Sequence, residues 1–185
     1  MRLIAAPLAF ALLAAPAKAD EISDTLEAAL DAYRGGDIAL AKEELEYASQ
    51  LLSQLKAAGL TGFLPAPLDG WERSEPETQS VPAGMLGGGV VAEAVYTKGA
   101  ARVYLRLMAD HPMVAAMAPV FGNAALMGSM GEIRRIQRQK LVVTAEGGVQ
   151  SLIGGKVFVA IDGDAALEDK LSYFEALDID ELKAF

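Results

Sequence analysis

The stretch VVAEAVYTKGAARVYLRLM, residues 90–108, is the part of the sequence that decides the fold. Two runs of alternating side chains, 90–97 and 101–108, flank a Lys98-Gly99 turn, which is typical of a β-hairpin. In the second run Val103, Leu105 and Leu107 alternate with Arg102, Tyr104 and Arg106. One face of this strand is therefore predicted to be buried.

The pattern continues downstream with a helix, further strands and a final helix. Pro112 is predicted to open a helix that ends at Gly122-Asn123. Asp164 is predicted to cap the last helix. Three or four sequential antiparallel strands are predicted between these helices, at residues 132–137, 140–145, 149–153 and 156–162. This order predicts an α+β fold, an antiparallel sheet with packed helices.

Two amphipathic helices precede the sheet and are predicted to form an antiparallel hairpin. Gly35-Gly36 ends the first helix and Asp37 caps the second. The predicted packing positions repeat every three or four residues, at Leu26, Leu30 and Tyr33 and then at Ile38, Ala41, Leu45, Ala48, Leu52 and Leu55. We therefore predict an N-terminal helical hairpin over residues 20–63.

A stiff, turn-rich connector at residues 64–70 is the predicted domain boundary. Trp71 follows it directly, and we expect this side chain to anchor the core of the next domain. The antiparallel α+β domain is then predicted over residues 64–185.

Residues 1–19 are typical of a secretory signal peptide. Arg2 supplies a positive start, residues 3–15 form an uncharged apolar run, and Ala17-Lys18-Ala19 is a small-residue cleavage site. The apolar run is too short to span a bilayer as a helix. We expect cleavage near Ala19 and a periplasmic protein, with secretion into the medium as the alternative.

The composition limits the classes of partner and of functional site that the protein can have. Removal of the 19 residues from the 185 leaves 166, and it removes two of the 16 basic residues and none of the 25 acidic ones, so the mature net charge is −11. Such a surface repels nucleic acids and anionic lipid headgroups. The chain has no cysteine, which excludes a disulfide framework, cysteine nucleophiles and thiolate metal sites.

The segment 32–41, AYRGGDIALA, together with Leu45 and Ala48, resembles one tetratricopeptide-type unit. A solenoid needs about three stacked units and the chain has one. The resemblance therefore implies an accessory helical hairpin and not a repeat array.

A second resemblance covers most of the mature chain. The segments 64–71 (LPAPLDGW), 153–159 (IGGKVFV) and 177–182 (LDIDEL), with a hairpin and a Pro-Met helix between them, look like those of a group of uncharacterised proteobacterial secreted proteins. The order of elements is also similar to that of the PsbP/Mog1-like sandwiches. The latter resemblance implies a non-catalytic assembly or binding module.

Groups that could carry catalysis are few. The chain has one histidine, His111, and no Gly-x-Ser-x-Gly elbow. Carboxylates such as Glu93 or Asp110 leave a hydrolase as a third hypothesis, although nothing in their sequence context separates them from surface residues. We expect a protein that is not an enzyme.

The sequence offers one candidate metal site. Imidazole and thioether ligands that suit Cu(I) occur within twenty residues, at His111, Met113, Met117, Met127 and Met130. Methionine also fills irregular cores and forms adaptable partner-binding surfaces, so these two interpretations stand beside copper binding.

A basic cluster is the candidate partner-binding site, at Arg134, Arg135, Arg138 and Lys140. In a continuous strand Arg134, Arg138 and Lys140 share one face. The face is either a solvated outer surface of the sheet or a site for an acidic partner.

Taken together, the sequence predicts a non-enzymatic periplasmic binding or assembly (adaptor) protein without a cofactor, whose partner is another periplasmic protein. The alternative is a copper-handling protein that uses His111 and the methionines.

Overall fold

The computed structural model describes residues 17–74, 77–81 and 89–185, with side chains described in 20–74 and 89–185. The chain divides into two compact units, residues 1–51 and 52–185. The predicted signal peptide lies outside the described residues except for positions 17–19, which belong to the first helix.

The first unit contains α1 (Ala17–Arg34) and the first part of α2 (Ile38–Thr61). Gly36 turns the chain between them with φ +83, in the left-handed region that favours glycine. The carboxylate of Asp37 then accepts a hydrogen bond from the backbone N–H of Leu40 at 3.0 Å. The predicted turn and helix cap are confirmed, and the two helices form a hairpin.

The strands among the described residues of the second unit form one antiparallel sheet. Its strands are β1 (Glu72–Arg73), β2 (Glu77–Val81), β3 (Gly89–Lys98), β4 (Ala101–Ala109), β5 (Gly131–Ile136), β6 (Gln139–Thr144), β7 (Val149–Ile153) and β8 (Val157–Asp162). The strand order is β1-β3-β4-β8-β7-β6-β5, and β2 also pairs with β3. The six strands predicted from alternation agree with β3 to β8 within one residue at each end. The fold is α+β, as predicted.

One face of the sheet carries the main core. The strands contribute Val90, Ala92, Ala94, Tyr96, Val103, Leu105, Leu107, Leu141, Val143, Val149, Ile153, Val157, Val159 and Ile161. Six helical side chains belong to this core: Ala57 and Leu60 near the end of α2, Tyr173 and Phe174 in α5 (Leu167–Glu175), and Ile179 and Leu182 in α6 (Ile179–Ala184). Since Ala57 and Leu60 belong to this core, the compact unit begins before the predicted boundary at residue 64.

Trp71 is buried in the main core. Its ring meets Tyr173 edge-on with centroids 5.5 Å apart, and Tyr173 lies 4.2 Å from the ring of Tyr96. The Lys98 ammonium lies 5.9 Å from the tryptophan ring on the outer side. The prediction that Trp71 anchors the core is confirmed.

The opposite face of the sheet packs against α3 (Pro112–Phe121) and α4 (Ala124–Met130). Val114 of α3 is buried in a second, smaller cluster, with Val91, Met108, Leu152, Phe158 and Ala160 from the sheet. Pro112 begins α3 as predicted, whereas Pro119 lies inside the helix without ending it.

The chain after β8 corrects one prediction. Asp164 is not a helix cap, because α5 begins at Leu167. The Asp164 carboxylate instead accepts a hydrogen bond from the backbone N–H of Arg102 at 2.6 Å, and the N–H of Ala165 donates to the Arg102 carbonyl at 3.1 Å. Asp164 therefore fastens the loop after β8 to the start of β4.

In the described part of the chain, no single helix is long enough and apolar enough to cross a membrane. The helices α3 and α4 meet that criterion only as a pair, and they are bent by 110° relative to each other.

Candidate functional site

The hairpin of the first unit buries small side chains. Ala29 of α1 and Ala41 and Ala48 of α2 are all buried, together with Ile22 and Thr25. These positions are spaced three, four or seven residues apart, so they form one line along each helix. We assign these two lines to the seam between the helices, where small residues allow close approach.

The larger apolar side chains of the hairpin are exposed. The exposed fractions are 43% for Leu26, 46% for Leu30, 65% for Tyr33, 60% for Ile38 and 53% for Leu45. The prediction that these residues pack inside the hairpin is therefore wrong, and of the six positions predicted for α2 only Ala41 and Ala48 are buried. In the second unit, Leu52 and Leu55 of the same helix are exposed as well.

The exposed residues of the two helices lie on one side of the hairpin. Successive helical residues are separated by roughly 100°, so the line of Leu26, Leu30 and Tyr33 is rotated away from the buried line of α1. The line of Ile38 and Leu45 is rotated from that of α2 in the same sense. In an antiparallel pair, equal senses of rotation bring both lines to the same side. We call these five side chains the hairpin surface.

The other side of the hairpin has a different character. The hydroxyl of Tyr47 donates a hydrogen bond to the carboxylate of Glu21 at 2.8 Å, which joins the middle of α2 to the beginning of α1. Both residues, and the exposed Leu40, are rotated from the seam in the opposite sense to the hairpin surface. On this side a polar hydrogen bond joins the two helices, whereas on the hairpin surface the apolar side chains are exposed and available to an apolar partner.

The predicted metal ligands occupy unlike environments. The Nδ1 atom of His111 accepts the backbone N–H of Met113 at 3.1 Å, so one of its two nitrogens serves as the cap of α3. Met113 is exposed, Met117 packs against the second core cluster, and Met127 is fully buried in α4. Met130 is half-buried at the end of α4. Core packing accounts for Met117 and Met127, and copper binding stays a prediction for the set.

Among the described residues, no group of three or more His, Asp or Glu side chains is placed to hold a metal ion. The two carboxylates considered for hydrolysis are both ion-paired, Glu93 with Arg106 and Asp110 with Lys56. Burial raises the pKa of Tyr96 to about 12 and also raises the pKa of Tyr173. Both tyrosines belong to the main core, so these shifts reflect packing and not a cleft.

The predicted basic cluster is divided between the two faces of the sheet. Arg134 pairs with Leu141 across β5 and β6, on the face of the main core, whereas Arg135 pairs with Lys140 on the face of α3 and α4. Arg138 lies in the two-residue turn between the strands, with φ 64. Arg134, Arg138 and Lys140 do not share one strand face, because the condition of a continuous strand is not met: residues 137 and 138 form a turn between β5 and β6.

The partners of these cations differ too. Arg134 donates two hydrogen bonds to the carboxylate of Glu132, at 2.8 and 3.2 Å, and this contact lowers the pKa of Glu132. The Nε atom of Arg135 donates to the Arg138 carbonyl at 3.2 Å. Partner binding by the cluster as a whole stays a prediction, since its members do not form one surface.

Comparison of the chain with protein-family models, with curated proteins and with solved structures finds no match. The resemblances to tetratricopeptide units, to proteobacterial secreted proteins and to PsbP/Mog1-like sandwiches therefore stay predictions. Any functional argument depends on the geometry, and the hairpin surface gathers five of the large apolar side chains that are exposed among the described residues.

Proposed function

We propose that the chain is a non-enzymatic periplasmic binding or assembly protein, an adaptor that holds another periplasmic protein. The observation that carries this proposal is the hairpin surface, where five large apolar side chains share one side of the hairpin and each is at least 43% exposed. Contiguous exposed apolar patches mark sites of interaction.

The energetics are adequate for a specific interface. Full burial of one Leu- or Ile-sized side chain contributes about 1.5–3 kcal/mol. A few such side chains dominate most interfaces, and tyrosine is enriched among them. The hairpin surface supplies Tyr33 and Ile38 close to the turn between the helices, and Leu30, Leu26 and Leu45 farther along them.

The periplasmic compartment is supported by the composition of residues 1–19. Cell fractionation and mass spectrometry of the mature protein test it. We expect an N-terminus at or near Asp20 in the periplasmic fraction. Retention of residues 1–19 in a cytoplasmic protein would contradict the proposal.

Site-specific crosslinking in the native organism tests the binding function. A photoreactive amino acid is placed at Tyr33 or Leu45 on the hairpin surface and, as the matched control, at Leu40 on the opposite side. Leu40 is exposed to a similar extent, at 43%. We expect a discrete crosslinked product from the first two positions only. Equal crosslinking from Leu40, or no reproducible product from any position, would contradict an adaptor role for this surface.

A further inference from the structure

We infer that the hairpin surface binds a cationic amphipathic α-helix, one with leucine-like residues along one face and lysine or arginine on the other. The inference rests on the proposed binding function and adds the chemistry of the partner. It follows from the charge of the first unit and from the shape of its apolar side.

The hairpin is strongly acidic. Residues 20–51 contain nine acidic and two basic residues, a net charge of −7. Both basic side chains already face carboxylates, Arg34 with Asp31 and Lys42 with Glu46, each at 3.6 Å. Among the described residues of the first unit, the other seven carboxylates form no ion pair. A partner that covers this surface with positive charge at its rim gains from electrostatic attraction.

The same charge argues against two other occupants. A second copy of the chain would bring a second hairpin of charge −7 against the first, and repulsion between like charges opposes that contact. An anionic lipid surface is repelled in the same way. Of the occupants that could cover the five side chains, a cationic one alone lowers the electrostatic energy.

The geometry favours a helix as the docked element. Leu26 and Tyr33 are seven residues apart, as are Ile38 and Leu45, so each exposed line is roughly 10 Å long at 1.5 Å per residue. Two parallel apolar lines of this length form a shallow groove over the alanine seam. Helices dock in such grooves through anchors at positions i, i+3 or i+4, and i+7. Two turns of a partner helix therefore match the surface.

Three synthetic peptides and the mature full-length chain test the inference. The first peptide is a leucine/lysine amphipathic helix of about 18 residues, the second replaces each lysine with glutamate, and the third has the composition of the first in an order without an apolar face. Fluorescence anisotropy measures their binding. We expect the leucine/lysine helix to bind at least about tenfold more tightly than either other peptide, and to weaken as salt rises from about 50 to about 500 mM.

Substitutions connect that binding to the hairpin surface. Tyr33→Ser and Leu45→Ser are each expected to weaken the leucine/lysine peptide at least about fivefold, because they remove apolar anchors. Leu40→Ser, on the other side of the hairpin, is the matched control and is expected to leave the affinity within about twofold of the unsubstituted chain. Circular dichroism verifies that all three variants keep their helix content.

The possible outcomes separate the inference from the proposed function. If the glutamate peptide binds as tightly as the lysine peptide and Leu45→Ser weakens both, the surface binds helices but the charge inference is wrong. If the peptide without an apolar face binds equally well, or Leu40→Ser acts like Leu45→Ser, the attraction is unspecific and the inference is overturned. If no peptide binds, or if light scattering shows a dimer that Leu45→Ser dissociates, both the inference and the adaptor function of this surface fail.

Discussion

The hydroxyl of Tyr96 donates a hydrogen bond of 2.8 Å to the carbonyl oxygen of Pro65 inside the main core. The same carbonyl accepts the Nη1 atom of Arg73 at 3.0 Å. Through these two contacts the proline-rich connector is bound to two strands of the sheet, to β1 at Arg73 and to β3 at Tyr96, which lies 31 residues after Pro65. The connector is therefore a fastened part of the second unit.

Tyr96→Phe is predicted to change the pH dependence of stability. Burial raises the pKa of Tyr96 to about 12, so between pH 10 and 12 the unfolded chain loses its phenolic proton first and unfolding becomes easier. The variant lacks this ionisation. At pH 8 it loses about 1 kcal/mol with the hydrogen bond, since Arg73 still satisfies the Pro65 carbonyl. Its stability relative to the unsubstituted chain is expected to rise by about 2 kcal/mol towards pH 12, so that the loss at pH 8 turns into a small gain. Denaturant unfolding across this range measures the difference, and a disadvantage that stays constant would contradict the prediction.

Gly163→Ala is predicted to destabilise the protein by at least about 2 kcal/mol. Gly163 has φ +119, and a Cβ atom there would overlap the carbonyl oxygen of Arg102. Gly155→Ala is the matched control, because Gly155 has φ +72 and no atom within 4 Å of the added carbon. The control is expected to lose about 1 kcal/mol from backbone strain alone. Equal losses in thermal or denaturant unfolding would show that the overlap with Arg102 is relieved.

Lys170 provides a test of a buried cation. Its side chain is 3% exposed and its ammonium donates to the Gly147 carbonyl at 2.9 Å. Lys170→Met keeps most of the buried volume and removes the charge, so we expect a change within about 1 kcal/mol. Lys170→Ala leaves a cavity and is expected to cost about 2 kcal/mol or more. If both variants lose the same free energy of unfolding, the hydrogen bond to Gly147 and not the packed stem stabilises this site.

Because small residues form the seam of the hairpin, enlarging a buried alanine is predicted to destabilise the protein more than truncating an exposed leucine. Ala48 is 1% exposed, so Ala48→Leu is expected to push α1 and α2 apart and to cost about 1–3 kcal/mol. Leu45→Ala removes an exposed side chain and is expected to stay within about 0.5 kcal/mol of the unsubstituted chain. Thermal unfolding followed by circular dichroism compares the two. If Leu45→Ala loses more stability than Ala48→Leu, the assignment of the seam to the line of Ala41 and Ala48 is wrong.

Copper binding has a direct test in a Cu(I) competition titration. Met117 and Met127 are committed to packing, and one nitrogen of His111 caps α3, so we expect no binding tighter than micromolar. Tighter binding that is lost in both His111→Ala and Met113→Leu would establish the copper-handling alternative.

The strands were predictable because their signal is local. Val103, Leu105 and Leu107 alternate with polar residues, and burial of one face enforces that period along the whole strand. The pairing of β4 with β8 carries no such signal. It depends on how two distant segments share the face that Phe174 and Leu182 cover.

The hairpin shows the limit of the same reasoning. Periodicity marks Leu30, Tyr33 and Leu45 as one-sided, yet it cannot tell whether that side meets the neighbouring helix or a partner. Ala29, Ala41 and Ala48 lie on an adjacent line at the same spacing, and close approach of two helices selects the smaller side chains. The line of alanines in the sequence therefore indicated which side of each helix contacts the other helix, and so which larger side chains are exposed.

The basic cluster failed for a different reason. Gln137 and Arg138 both adopt positive φ, at 49 and 64, in a two-residue turn that usually holds Asn or Gly. The break between the two strands was predicted, but the shared face of Arg134, Arg138 and Lys140 was derived for one continuous strand, in which this turn does not exist. The two-residue turn places Arg134 and Lys140 on opposite faces of the sheet.

The position of β8 beside β4 has a consequence for cooperativity. Leu105 pairs with Ile161 across 56 positions of the chain, whereas β3 with β4 and β5 through β8 pair with their neighbours in sequence. The two local halves of the sheet form with little loss of chain entropy, and the distant pairing must wait until a long loop has closed. Once the loop has closed, β4 and β8 are paired in the middle of the sheet. A substitution that disrupts this pairing therefore destabilises both halves of the sheet. The second unit is therefore expected to unfold in one transition and not in two.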